Sequence, residues 1–302
     1  MCNTKLLLIV FGPTGVGKTD ISISIAKHFK SEIFSCDSRQ MYKELNIGVA
    51  RPSESQLNDI KHNFIANISI HEHYSISKFE IEALAKLDEY FATNDIAIMC
   101  GGSGLYVDAI CNGVDEMPDH DPQIREDVIN FYKQSGIEAL RSEVEHIDPI
   151  FYAQVDLKNP QRLMRALEIY RATGKPFSSF RTNSVASRNF KIIKIGIDLD
   201  RDELYKKIDT RVDIMISEGL IEEAKNLHIH KGLVALKTIG YRELFDYFEN
   251  EQSLEKTVEL VKRNTRHLAR RQLTWFRRYK DAKWFDANNT NEILEYIDNL
   301  IK

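Results

Sequence analysis

A chain of 302 residues, 43% hydrophobic and 28% charged, holds enough apolar material for its own core and needs no disulfide or metal staple. Its 41 basic and 45 acidic side chains give a formal charge of −4, which excludes a uniformly basic nucleic-acid binder and leaves a locally basic surface open. Cys2, Cys36, Cys100 and Cys111 are too scattered for a zinc knuckle or a Cys-x-x-Cys pair, and suit isolated thiols in a reducing cytosol.

The apolar run after Lys5 stops at Gly12-Pro13 without a small-residue cleavage site. It predicts a buried strand over Leu6–Phe11, not a signal peptide. A glycine-rich turn and a helix over Lys18–Phe29 follow. A second strand spans 32–36 and ends at Asp37-Ser38. A helix covers 77–93, and a third buried strand, 96–100, stops at Gly101-Gly102. Strands alternating with helices imply a parallel sheet with helices on its faces.

From about 115 to 188 the strand signal disappears. Helical stretches over 122–134, 137–145 and 160–173 replace it, broken by Pro and Gly. A strand returns at 191–197, and amphipathic helices follow at 201–218, 220–231 and 254–279. The expectation is an α/β parallel-sheet core of residues 1–114 and 189–302, a helical insertion of 115–188, and long C-terminal helices. No run approaches ~18 apolar residues, so no membrane span is expected. The chain reads as soluble, cytoplasmic and monomeric.

Gly12-Pro13-Thr14-Gly15-Val16-Gly17-Lys18-Thr19 matches the phosphate-loop pattern G-x-x-x-x-G-K-[ST], with the strand before and helix after that it requires. Gly12 and Gly17 allow backbone conformations closed to other residues. The loop amides and helix N-terminus face an anion. Lys18 adds positive charge, and the Thr19 hydroxyl can hold Mg²⁺ or a phosphate oxygen. The motif calls for a polyphosphate or diphosphate, without identifying a nucleotide such as ATP. Asp37 ends the second strand, where open parallel sheets bind ligands, and should face this loop. It can coordinate Mg²⁺, act as a general base, or simply cap a turn.

Other blocks are weaker alone. Gly101-Gly102-Ser103-Gly104 would suit a plain turn. Gln161, Arg162 and Arg165 share a helical face, which could be merely solvated. The segment 256–283 holds ten basic residues and two acidic ones, so +8 stands against −12 elsewhere. With Leu260, Leu268, Leu273 and Phe276 as anchors it reads as a basic amphipathic helix for RNA phosphates or an anionic membrane. Gln272, Thr274 and the arginines alternate with packing residues, which favours RNA.

In order, GPTGVGKT (12–19), DSRQMYKELNIGVARP (37–52), GGSGLY (101–106), DPQIR (121–125), NPQRLMRALEIYRATGKP (159–176), IDTRV (208–212), KTIGYRE (237–243) and TRHLARRQLTWFR (265–277) resemble the tRNA dimethylallyltransferase family over nearly the whole chain. The resemblance implies a nucleotide-kinase-like core with a helical insertion. It implies transfer of the dimethylallyl group of dimethylallyl diphosphate to the exocyclic amine of the adenosine 3′ of the tRNA anticodon, with Mg²⁺ as cofactor. Lys18, the loop amides and Arg211 would neutralise the leaving diphosphate, Thr19 would position its bridging oxygen or the metal, and Asp37 would accept the amine proton. It places tRNA contacts at Asp37, Ser38, Arg39 and Gln40; at Ser103 and Arg125; at Gln161, Arg162, Leu163, Met164 and Arg165; and at Lys237, Thr238, Ile239, Gly240, Tyr241 and Arg242.

The chain departs from the family pattern at Val49 and Arg51, where Thr and Lys are usual. It reads Asn63-Phe64-Ile65-Ala66 after His62, where His-Leu-Ile-Asp is common, and Ser103 replaces Thr. It lacks the zinc-finger Cys/His set of eukaryotic members, so the resemblance is to the shorter bacterial form. The competing readings are an adenylate isopentenyltransferase, a phosphate-loop small-molecule kinase, and a tRNA-binding module with a decayed site.

Overall fold

The computed structural model describes residues 5–118, 121–182, 186–250 and 252–301; Cys2 lies outside them. The strands are β1 (Leu6–Phe11), β2 (Ile33–Ser35), β3 (His62–Asn63), β4 (Ile96–Gly101), β5 (Lys191–Asp198) and β6 (Lys283–Asp286). They form one parallel sheet in the order β3-β2-β4-β1-β5-β6. β1 can be central because LLLIVF is apolar throughout, so both faces can be covered. Leu7, Ile9 and Phe11 enter one apolar cluster and Leu6, Leu8 and Val10 another, as side chains alternate along a strand.

The helices are α1 (Lys18–Phe29), α2 (Glu54–Asp59), α3 (Ile76–Phe91), α4 (Gly104–Asn112), α5 (Pro122–Ile147), α6 (Pro149–Tyr152), α7 (Pro160–Thr173), α8 (Arg201–Ser217), α9 (Leu220–Leu227), α10 (Tyr241–Glu249), α11 (Leu254–Phe276) and α12 (Thr290–Ile301). Among the described residues no helix is long and apolar enough to cross a membrane. The chain separates into two compact units, Met1–Cys111 with Ser187–Lys302, and Asn112–Ala186. The first holds the sheet. The second packs α5, α6 and α7 around Val128, Leu140, Val144, Leu163 and Leu167.

Several elements differ from the sequence expectation. The helices read over 122–134 and 137–145 run together in α5, kinked at Gly136 with φ 77°. α9 stops at Leu227, and His228–His230 winds into a 3₁₀ turn. β3 and β6 are too short to carry an alternating pattern. β6 exists because KWFD pairs with β5 from Ile195↔Lys283 onward. Gly196 leaves room for it, since a Cβ there would lie 2.6 Å from the Trp284 ring.

Candidate active site

The loops after β1, β2 and β4 meet at the carboxyl edge of the sheet, where parallel α/β folds bind ligands. A Cβ on Gly12 would run into the Ile197 carbonyl oxygen. Close approach, not a positive φ, therefore requires glycine at this position, which corrects the conformational reason expected for it. Gly17 does adopt a left-handed conformation, with φ 102°, immediately before α1. Lys18 and Thr19 then open α1, whose first amides have no intrahelical acceptor. Lys18 Nζ donates to the Pro13 carbonyl at 2.8 Å.

A cavity of about 260 Å³ opens here. Thr14, Gly15, Gly17, Lys18 and Thr19 line it, whereas Gly12, Pro13 and Val16 are buried behind it. Asp37, Arg51 and Arg211 complete its polar wall. Burial lowers the Lys18 pKa from the ordinary lysine value, and Arg211 lowers it further; Cys100 and Asp37 oppose the shift. Burial also lowers Arg211, against the carboxylates of Asp37 and Asp20. Two cations and two carboxylates thus form a coupled electrostatic set around a space that suits an anion.

Asp37 Oδ1 accepts the Arg39 N–H at 2.9 Å; Oδ2 has no hydrogen-bond partner among the described residues. Ser103 Oγ accepts the Ser38 N–H at 3.0 Å, tying the loop after β4 to the loop after β2. Arg39 Nη1 donates to the Val234 and Ala235 carbonyls, and Gln40 Nε2 to those of Val49 and Ala50. Both were expected at RNA; Gln40 lines the cleft and braces its wall at Val49 and Ala50, whereas Arg39 is tied to the turn at Val234 and Ala235. Arg51, found where the family has Lys, donates through Nη2 to the Tyr42, Lys43 and Leu45 carbonyls.

Four other expected RNA contacts are interior. Leu163 and Met164 are buried in the second unit's core, on the inward side of α7. Tyr241 is 0% exposed. Its hydroxyl donates to Glu223 Oε1 at 2.5 Å, and the same carboxylate accepts the N–H groups of Ile47 and Gly48. The ring fills the space a Gly48 side chain would need, 2.6 Å from its Cβ position. Tyr241 therefore shapes the cleft-side loop. Gly240 is also buried, and Thr238 and Ile239 are half-buried, while Lys237 and Arg242 remain exposed, as do Gln161 and Arg162. Arg125 and Arg165 both pair with buried Glu168, at 2.9 and 3.5 Å.

α11 is two-sided. Lys262 pairs with Asp213, Arg266 with Asp209, Arg277 with Asp198 and Arg278 with Asp108, so much of the segment's charge is answered within the fold. Lys256, Arg263, Arg270, Arg271, Lys280 and Lys283 are exposed and have no ion pair among the described residues. Gln272, expected on the RNA side, faces inward. Its Oε1 accepts the Thr14 N–H and its Nε2 donates to the Gly102 carbonyl, both at 2.8 Å. Sequence reasoning missed this role, because partners 258 and 170 residues away leave no local signal.

A parallel sheet whose central strand runs into GPTGVGKT and a helix defines an α/β protein of the phosphate-loop class. Within that class, residues 40–279 match the family model described as IPP transferase, and the chain belongs to that family of transferases. A tRNA dimethylallyltransferase of Flavobacterium johnsoniae is 49% identical over 97% of this chain and 97% of its own length. One of Flavobacterium psychrophilum is 45% identical over 98% and 99%. The crystal structure of a tRNA isopentenylpyrophosphate transferase from Bacillus halodurans is 33% identical, covers 99% of this chain and 97% of its own, and superposes with a TM-score of 0.72.

Proposed function

We propose that this protein transfers the dimethylallyl group of dimethylallyl diphosphate to the exocyclic amine of the adenosine immediately 3′ of the anticodon in tRNA. One observation carries the reading: Lys18 and Arg211 share a single cleft with Asp37. As the C–O bond to diphosphate breaks and the N–C bond forms, negative charge grows on the leaving group. Lys18, Arg211 and the free loop amides answer it, and such preorganised groups contribute roughly 3–4 kcal/mol each. The adenine amine is a poor nucleophile because its lone pair is delocalised. Asp37 takes its proton.

The cleft's oxygen donors include the Thr19 hydroxyl and the carboxylates of Asp20 and Asp37. Among the described residues no three His, Cys, Asp or Glu side chains gather as a metal cage. That set fits Mg²⁺, which keeps several waters and binds mainly through substrate phosphates. Thr19 would hold the ion, and when bound it would supply further neutralisation of the diphosphate.

A base in an anticodon loop must leave its stack before it can react. Exposed Lys237, Arg242, Arg270 and Arg271 on the first unit, and Gln161 and Arg162 on the second, are among the side chains available to RNA. Incubation with dimethylallyl diphosphate and Mg²⁺, with either tRNA or AMP as acceptor and products read by mass spectrometry, tests the proposal. Prenylated tRNA with unmodified AMP is expected. Prenylated AMP, or no isoprenoid transfer together with hydrolysis of ATP supplied in a parallel incubation, would overturn it.

A further inference from the structure

Gln272 lies next to exposed Arg270 and Arg271 on α11, yet its amide is held between two glycine-rich loops. Thr14 follows β1 and Gly102 follows β4, and these strands are neighbours with Phe11 opposite Gly101. The side chain bridges the loops through both of its unlike ends, an acceptor to the Thr14 N–H and a donor to the Gly102 carbonyl. A primary amide offers that pair on one planar group without needing a particular protonation state. Space is reserved for it, since a Cβ at Gly102 would lie 2.6 Å from Nε2. Gln272 also lines the cleft itself. The Thr14 N–H is committed to it, which leaves anion binding to the later loop amides.

We propose that Gln272 is a positioning residue for the isoprenoid diphosphate: it fixes the spacing of the loops after β1 and β4 and turns the Thr14 peptide so that the remaining amides face the diphosphate. This rests on the donor reading given above. α11 then serves the donor on its inner side and carries its unpaired arginines on the outer side.

Two variants of the full chain separate this role from a general structural one. Gln272→Met keeps the length and loses both hydrogen bonds. Gln272→Glu keeps an acceptor for Thr14 but sets an oxygen against the Gly102 carbonyl and a negative charge beside the diphosphate. The measurements are calorimetric binding of inorganic diphosphate, KM for dimethylallyl diphosphate, KM for tRNA, and the melting temperature. Gln272→Met is expected to raise the diphosphate Kd and the donor KM about tenfold, the scale of two lost hydrogen bonds between neutral groups. Gln272→Glu should raise them further, with the KM for tRNA unchanged in both. Should Gln272→Met melt early, Gln272→Glu carries the same comparison. Unchanged diphosphate binding and donor KM in both variants would overturn the proposal. So would a raised KM for tRNA with diphosphate binding intact, which would return Gln272 to the RNA. If the unaltered protein binds no inorganic diphosphate, the donor reading fails, and the proposal with it.

Discussion

Asp37 keeps one carboxylate oxygen on the Arg39 amide, and its charge acts on both Lys18 and Arg211. A proton acceptor in that place contributes to turnover more than to affinity. Asp37→Ala is expected to lower kcat by about 10²–10⁴ and to leave the affinity for tRNA unchanged. Single-turnover prenyl transfer measured beside calorimetry checks this; equal losses in binding and turnover would make Asp37 an RNA-positioning group. Lys18 gives a pH dependence of definite sign. Burial, opposed by Cys100 and Asp37, lowers its pKa, and only its protonated form attracts diphosphate. Affinity should therefore fall as pH rises through a value below the ordinary lysine range. In the ligand-free fold the sign reverses. Between the folded and unfolded pKa values the unfolded chain binds the extra proton, so the Lys18 contribution to stability grows with pH across that window. Calorimetry with inorganic diphosphate from about pH 7.5 to 10, beside Lys18→Arg, which stays charged, should show the decline in the parent alone. A matching decline in the Arg variant would assign it to another group.

Among the elements, α11 separates two kinds of basic residue. Arg266 and Lys262 face α8 and pair with Asp209 and Asp213, whereas Arg270 and Arg271 are exposed and have no ion pair among the described residues. Replacing Arg270 and Arg271 by Ala is expected to weaken tRNA binding and to reduce the slope of log K against log salt by about 0.7–0.9 for each phosphate that the variant no longer neutralises. Arg266→Ala should leave that slope alone. A slope unmoved by the double variant would take the RNA off this face. β1, α1 and the phosphate loop were legible because a uniform apolar run, a glycine turn and a helix start are local signals. Asp37 was legible because β2 ends just before it. The two-residue β3 and four-residue β6 were not, because register with a neighbour defines them. Tyr241 and Gln272 misled for a related reason. The family resemblance set Tyr241, and alternation in a basic segment set Gln272, at the RNA, whereas partners elsewhere in the fold, Glu223 for one and Thr14 with Gly102 for the other, hold them inside.

At the scale of the whole molecule, the charge of −4 is an average over unlike parts. The 256–283 segment carries +8, but Asp213, Asp209, Asp198 and Asp108 answer four of its ten cations. The remaining exposed cations, more than the segment total, are what an RNA would meet. The helical unit of Asn112–Ala186 adds exposed Gln161 and Arg162 from a helix whose next two residues, Leu163 and Met164, hold its core. On the proposed reading, RNA would be met by surface side chains, and the diphosphate by a cleft at the sheet's carboxyl edge. The most direct test is to incubate tRNA with the protein, Mg²⁺ and dimethylallyl diphosphate, map the modified nucleoside by mass spectrometry of digested fragments, and measure the diphosphate released. One dimethylallyladenosine immediately 3′ of the anticodon, formed in step with each diphosphate, is predicted. Unmodified tRNA, or diphosphate released without transfer to that adenosine, would contradict the account.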